Sequence, residues 1–277
     1  MSVVINTNYA AVLARKNLHT VQREMDKSVE RLSSGKRINN AADDAAGSAI
    51  AGRMESQIRG LTMGIRHAKD GQSLVGTSEG AMQEVNKILQ RMRELAVQAA
   101  SGVASTTDKD YLQLEVRNLI HEVKAIGENT KFNDMQLLQG GTFTFFTDID
   151  VAGTSITTVT AAMTLAKLNI TTAVVSIGGG ANAARIAEAV TAIDGALAIV
   201  DNRRAALGAV SNRFDHIIDN LQNVIMNTVS SQSRIVDADF SVETTNLTRN
   251  TVLQQAATSM LAQANAQKNS VLSLIQQ

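Results

Sequence analysis

Residues 11–32 read AVLARKNLHTVQREMDKSVERL and residues 253–274 read LQQAATSMLAQANAQKNSVLSL. In the first stretch Ala11, Ala14, Leu18, Val21, Met25, Ser28 and Leu32 recur at steps of three and four. In the second the same steps run through Leu253, Ala257, Met260, Ala264, Gln267, Val271 and Leu274. Such spacing sets each group on one stripe of a helix. The stripes are poor in large side chains, and nothing within either segment buries them. The simplest partner for one end of the chain is the other end, and after that the ends of neighbouring molecules. Two helical termini of this kind predict a protein built to assemble.

Inward from the ends, the seams lengthen. Ser33-Ser34-Gly35 and Asn39-Asn40 break the first arm, and Asp43 or Asp44 is suited to cap a new helix. That helix carries Met54, Ile58, Leu61, Ile65, Ala68, Gln72, Val75, Glu79 and Met82, then Val85, Leu89, Met92, Ala96 and Ala99. Glycines 71, 76 and 80 are expected to bend or split it, since Gly weakens a helix by roughly 1 kcal/mol relative to Ala. A turn over 102–107 leads to a helix burying Leu112, Val116, Leu119, Val123 and Ile126, an antiparallel neighbour of the one before. After Gly140-Gly141 the period changes. Phe143, Phe145, Ile149 and Val151 alternate as in a half-buried strand, and a second strand is expected near Ile156 to Val159. Gly178-Gly179-Gly180 lacks the lysine and spacing of a phosphate loop and is expected to be a hinge. Ile186, Val190, Ile193, Leu197, Val200, Arg204, Leu207, Ser211, Phe214, Ile218, Leu221 and Ile225 form the last long seam, and a polar break over 230–243 precedes the C-terminal arm.

The expected fold is therefore mainly α: a long helical hairpin or bundle with terminal coiled-coil arms and a small β-hairpin insert. The domains are residues 1–40 with 238–277 as the arms, 41–141 with 177–237 as a helical rod, and 142–176 as the β-rich insert. Both termini are expected at one end and the insert at the other.

Composition supports this and excludes several classes. The 277 residues contain no proline, where about 14 would be usual. Long helices exclude proline because it removes a donor and clashes with the preceding turn. With 26 basic and 26 acidic side chains, the net charge is zero. This argues against an electrostatic grip on nucleic acid and removes repulsion between copies. Without cysteine there are no disulfides, Cys-ligated zinc or thiol catalysis. Aromatic content of 3% speaks against one large globular core. No basic leader with an apolar stretch opens the chain, and no segment reaches membrane-spanning length, so no membrane insertion is expected.

No catalytic constellation emerges. His19, His67, His121 and His216 are isolated, and no pair has metal-ligand spacing. Asp43-Asp44 are adjacent and so do not share a helix face, and capping suits them better than acid–base work. No cofactor is expected, and the chain does not read as an enzyme.

The stretch RLSSGKRINNAADDAAG, Arg31 to Gly47, joins the first arm to a capped helix through a glycine-containing spoke, and it closely resembles the signature of bacterial flagellins. Further stretches agree in order: Asn6-Thr7-Asn8, LQRMRELAVQAA over Leu89–Ala100, Asn212-Arg213-Phe214, SRIVDADF over Ser233–Phe240, LQQA from Leu253 and MLAQAN from Met260. The resemblance spans about residues 1–140 and 183–277. Many flagellins carry a proline before the final apolar stretch, where this chain has Gln267-Lys268-Asn269-Ser270, and the insert is far shorter than in large members.

The resemblance implies the structural subunit of the flagellar filament, serving swimming motility, with the hook–filament junction protein as the nearest alternative. It implies an extracellular location reached without a cleaved signal peptide. The implied partners are further copies in a helical homopolymer, the export apparatus and its chaperone, and the hook-associated and cap proteins. The assembly seam falls on Leu18, Val21, Met25, Leu32, Leu253, Met260, Val271 and Leu274. Residues matching Arg91, Leu95 and Glu115 imply a contact for the vertebrate Toll-like receptor that senses flagellin. Val271-Leu272-Ser273-Leu274-Ile275 is similar to the part seen by cytosolic inflammasome receptors and bound by export chaperones. Ordering an isolated arm costs more than its thin seam returns. The arms are therefore expected to order only against neighbours.

Overall fold

The computed structural model describes residues 7–147, 155–160 and 162–275. In chain order the elements are α1 (Tyr9–Ser34), α2 (Ala45–Ala99), α3 (Thr106–Asn129), β1 (Lys131–Phe132), β2 (Met135–Gln136), β3 (Gly141–Phe146), β4 (Ser155–Thr160), α4 (Leu165–Leu168), α5 (Ala183–Val236) and α6 (Phe240–Ile275). The mainly helical class with one β-hairpin of note follows the seams. Two compact units emerge: residues 1–58 with 226–277, and residues 59–225.

In the terminal unit, α1 is capped by Asn8, which accepts from the Ala11 N–H, and it ends at Gly35 in the left-handed region at φ 70°. Gly35 is needed there because a side chain at that φ is strained. The two acids of the spoke divide their work. Asp44 accepts from the Gly47 N–H at 2.8 Å and caps α2. Asp43 accepts from the N–H groups of Asn39 and Asn40 at 3.3 and 3.2 Å and holds the preceding turn. A Cβ at Gly47 would lie 2.5 Å from Asp44 Oδ2 and 2.8 Å from Ile38 Cδ1, so a larger residue there displaces the capping carboxylate or the Ile38 side chain.

This unit reaches further along the chain than the arm boundaries of 1–40 and 238–277. The Arg37 N–H and guanidinium donate to the carbonyls of Val236 and Ile235, each at 2.6 Å. Gln232 donates to the Ala51 carbonyl at 3.2 Å. These bonds tie the first turns of α2 and the last turns of α5 to the spoke. The polar break before the last helix is only Asp237 to Asp239, because α5 runs on to Val236.

In the second unit, one core is built from α2, α3, α5 and the described residues of 131–147 and 155–177. The seam of α5 is buried or half-buried at every position from Ile186 to Ile225. Glycines 71, 76 and 80 do not split α2, which is one helix from Ala45 to Ala99. Gly71 instead receives the Phe214 ring, whose nearest atom would lie 2.5 Å from a Cβ there. Phe145 meets that ring edge-on, centroids 5.7 Å apart. A capping box of Ser105 and Asp108 starts α3.

The expected strands are β3 and β4, antiparallel with Phe145 opposite Ile156. Ile149 and Val151 lie outside the described residues. The expected hinge is instead a pinned loop. Gln113 Oε1 accepts from Ile177 and Gly178, Asp110 accepts from Gly179, and a Cβ at Gly179 would lie 2.7 Å from the Thr106 carbonyl. Its N–H groups at 178 and 179 are thus already used by carboxylate and amide oxygens. A two-residue ribbon, β1 with β2, turns through Asn133 and Asp134, both at positive φ.

Candidate assembly and recognition surfaces

α1 and α6 pack antiparallel along their lengths, and the contacts that align them are polar. Asn8 Nδ2 donates to the Ala264 carbonyl at 3.0 Å. Gln254 Nε2 donates to Gln22 Oε1 at 2.7 Å. Arg31 meets Glu243 at 2.8 Å, where the Glu243 side chain is 7% exposed. Ser28 and Asn250 are buried in the same unit. A carboxylate in that position is tolerated because a charged donor holds one of its oxygens.

The predicted seam of α1 is the face that turns inward: Leu18, Val21, Met25 and Leu32 are half-buried. The seam of α6 is placed differently from expectation. Ala257 and Ala264 are half-buried, but Leu253 is 44% and Met260 65% exposed. The inward stripe instead passes through Glu243, Leu247, Asn250, Thr251, Gln254, Ala257, Leu261 and Ala264. Polar members carry half of that stripe, so a search for apolar periodicity settles on the neighbouring face. The side chains of Val271 and Leu274 lie outside the described residues.

What the pair leaves outside is apolar. Val12, Leu13 and Val29 on α1, and Phe240, Val242, Val252, Leu253 and Met260 on α6, are all exposed. The threonines of α6 add to this. Thr244, Thr245 and Thr248 donate their hydroxyls to the carbonyls of Phe240, Ser241 and Thr244, four residues back. With its donor spent inside the helix, each offers less polarity to a neighbour. Between Phe240 and Gln267 the only charged side chains are Glu243 and Arg249. Exposed apolar area of this extent marks an interaction surface. An open groove of ≈ 690 Å³ runs between the helices, lined by Val12, Leu18, His19, Gln22, Gln254 and Thr258 with Arg15 and Lys16.

The second candidate surface lies on α2 and α3. Arg91 and Glu115 stand together on it: Arg91 Nε meets Glu115 at 3.0 Å, and its Nη1 meets Glu94 at 3.0 Å. Leu95 is not on that surface. It is 1% exposed, inside the core, because α2 turns its Leu89, Met92, Leu95 and Ala96 face inward. An outside partner meets Arg91 and Glu115 directly and Leu95 only by moving the helix.

Among the described residues no three acidic, histidine or cysteine side chains are grouped to hold a metal ion, and no helix is long and apolar enough to cross a membrane. His19, His67, His121 and His216 are all exposed.

Sequence reasoning missed one arrangement. Gln72, Glu79, Asn86 and Arg93, seven residues apart on α2, bond Asp215, Arg204, Asp201 and Asp194 of α5 at 2.6, 3.4, 2.8 and 2.6 Å. The signal was available in the sevenfold spacing of Gln72, Glu79, Asn86 and Arg93, the first two of which interrupt the apolar seam.

Comparison with known proteins gives consistent neighbours. A family model described as bacterial flagellin N-terminal helical region matches residues 5–142, and one described as bacterial flagellin C-terminal helical region matches residues 190–275. The chain is 40% identical to a flagellin of Halalkalibacterium halodurans, over 99% of this chain and 100% of that one. It is 35% identical to flagellin B of Vibrio cholerae, with the same coverage over an alignment of 375 residues. Among solved structures, a putative flagellar hook-associated protein from Vibrio parahaemolyticus shares the fold at 14% identity. Its TM-score is 0.58, with 70% of this chain and 100% of that one covered.

Proposed function

The chain belongs to the bacterial flagellin family, and from that premise we propose how it builds its polymer. It is a structural subunit of the extracellular flagellar filament for motility, not an enzyme. The hook–filament junction alternative is not favoured: the full-length relatives are flagellins, and the hook-associated structure is alike in fold alone.

The terminal helices drive assembly. The observation that carries this is the apolar surface that the α1–α6 pair leaves uncovered. Polar bonds align the two helices, and Leu253, Met260, Val252 and Val12 are left facing out. Alignment by Asn8, Gln22 and Arg31 contributes modestly, since an intramolecular hydrogen bond nets only about 1 kcal/mol. Most of the stabilisation of the arms comes from apolar area covered by neighbouring copies. The arms of a free subunit are accordingly loose, and they order as the polymer grows.

In this reading residues 1–40 with 238–277 form the filament core, residues 41–141 with 177–237 the surrounding rod, and residues 142–176 its β insert. The assembly seam comprises Leu18, Val21, Met25 and Leu32, which pair the arms, and Leu253, Met260, Val271 and Leu274, which meet neighbouring copies. A chain with loose ends suits passage through the flagellar export apparatus with its chaperone, and then addition beneath the cap and beyond the hook-associated proteins. Deleting residues 1–30 or 250–277 leaves a soluble monomer with its second unit folded and unable to polymerise. Normal filaments from either truncation in electron micrographs would overturn the mechanism.

The α2–α3 surface is the candidate contact for the Toll-like receptor, with Arg91 and Glu115 as the touching groups and Leu95 supporting α2 from beneath. A receptor acid competing for Arg91 must displace Glu94 and Glu115. Arg91→Ala lowers signalling in receptor-bearing cells while far-UV circular dichroism stays unchanged, and equal signalling would remove the assignment.

A further inference from the structure

The core between α2 and α5 repeats with a strict period. Leu61, Ala68, Val75, Met82, Leu89 and Ala96 on α2 are all buried, every seventh residue. Ile186, Ile193, Val200, Leu207, Phe214 and Leu221 on α5 are buried at the same interval. Sliding one helix by seven residues brings most apolar layers onto the next, and within the core the seat of Phe214 on Gly71 is the layer that such a slide disrupts. A second set of marks runs beside it.

We propose that the polar ladder beside this core is a register code and that Glu79 is its deciding residue. The α5 side presents Asp194, Asp201 and Asp215 at heptad positions, and the fourth such position is Gly208. The α2 side presents Gln72, Glu79, Asn86 and Arg93. In the native register Gln72, Asn86 and Arg93 each bond an aspartate. By the same count Glu79 falls opposite Gly208, and Arg204, one turn away, reaches it at 3.4 Å. A slip of seven residues in one direction sets Glu79 against Asp201. A slip in the other sets it against Asp215. Both put like charges on one rung, which is destabilising, and both leave Arg204 facing neutral side chains. The native register is thus the only one of the three in which the acid of α2 meets no acid of α5. In a polymer every copy must offer the same contacts, and a subunit folded one heptad out of step would be a defect in the whole.

The chain has no cysteine, so introduced pairs report register without background. Gln72→Cys with Asp215→Cys reports the native pairing. Gln72→Cys with Gln222→Cys, and Gln72→Cys with Gly208→Cys, report the two slipped ones. Full-length subunits are refolded from urea with a short bis-maleimide and resolved on denaturing gels. With Glu79 present, the native pair crosslinks and the slipped pairs stay at background. Glu79→Lys reverses the code, setting a cation beside Arg204 in the native register and opposite an aspartate in the slipped ones. Slipped crosslinks then rise about tenfold. Adding Arg204→Glu restores the native pattern. Crosslinking confined to the native register in Glu79→Lys overturns the proposal. Should Glu79→Lys alone fail to fold, the double variant Glu79→Lys with Arg204→Glu must regain helicity and the native crosslink, and its failure to do so overturns it equally.

Discussion

Replacing Gly71 by alanine adds one methyl group where the Phe214 ring already sits. The new carbon would stand 2.5, 2.9 and 3.0 Å from three ring atoms. The ring has no easy retreat: Phe214 is fully buried, and Phe145 closes on it edge-on at 82°. Forcing an extra carbon into a packed core costs about 1–3 kcal/mol. The same change gains up to about 1 kcal/mol of helix propensity. Gly76 supplies the control. It is exposed on the same helix with nothing within 4 Å of its added carbon, so Gly76→Ala keeps the gain without the collision. The propensity contribution cancels between the two variants, and the difference isolates the overlap at about 1–3 kcal/mol. Unfolding in urea, followed by far-UV circular dichroism at equal slope, reads it as a lower midpoint for Gly71→Ala. In thermal melts the separation is roughly 2–12 °C. A midpoint for Gly71→Ala equal to or above that of Gly76→Ala refutes the seating of the ring on bare backbone.

Leu253→Asp and Met260→Asp change monomer stability by no more than about 0.5 kcal/mol, since both side chains are exposed. Each nevertheless stops filament growth in a light-scattering assay, and normal growth of both would remove those residues from the seam. The Asp43 carboxyl is held below its ordinary value by the Asn40 N–H, against the opposing effect of burial, with the Asn39 N–H, Lys27 and Arg31 assisting. The Ser105 hydroxyl, then its N–H, does the same for Asp108. A depressed folded pKa gives stability that is present above the unfolded value and lost as pH falls through the folded one. The spoke and the start of α3 therefore weaken as pH drops below about 4. Asp43→Asn flattens the acid limb of a stability–pH curve, and an unchanged limb would dissociate this carboxylate from acid unfolding.

The long seams were legible because large apolar residues recur without interruption. Ile186 to Ile225 can be read position by position, and the structure buries that stripe. The spoke was legible through its capping chemistry, although adjacency left open which of Asp43 and Asp44 would cap. Glycine misled twice, for one physical reason. It marks close approach as well as flexibility: Gly71 admits a ring without ending its helix, and Gly179 admits a carbonyl in a loop tied down by hydrogen bonds. The contact face of α6 escaped because Glu243, Asn250 and Gln254 occupy it, and apolar periodicity is blind to polar contacts. Leu95 shows the same limit for the α2–α3 surface. A motif states which residues occur together, and only packing states which of them face inward.

Charges spread thinly along α6 have a consequence for the environments a fibre can tolerate. Glu243 is spent on Arg31, and Arg249 is the one other ionic group from Phe240 to Gln267. Dissolved ions screen attraction between charges farther apart than a Debye length of about 8 Å at physiological strength, and they have little to act on along such a helix. On the proposed assembly, a neighbour seated against α6 is held mainly by apolar contact, which dilute salt screens little. Cohesion of the fibre then changes little as dilute salt rises or falls.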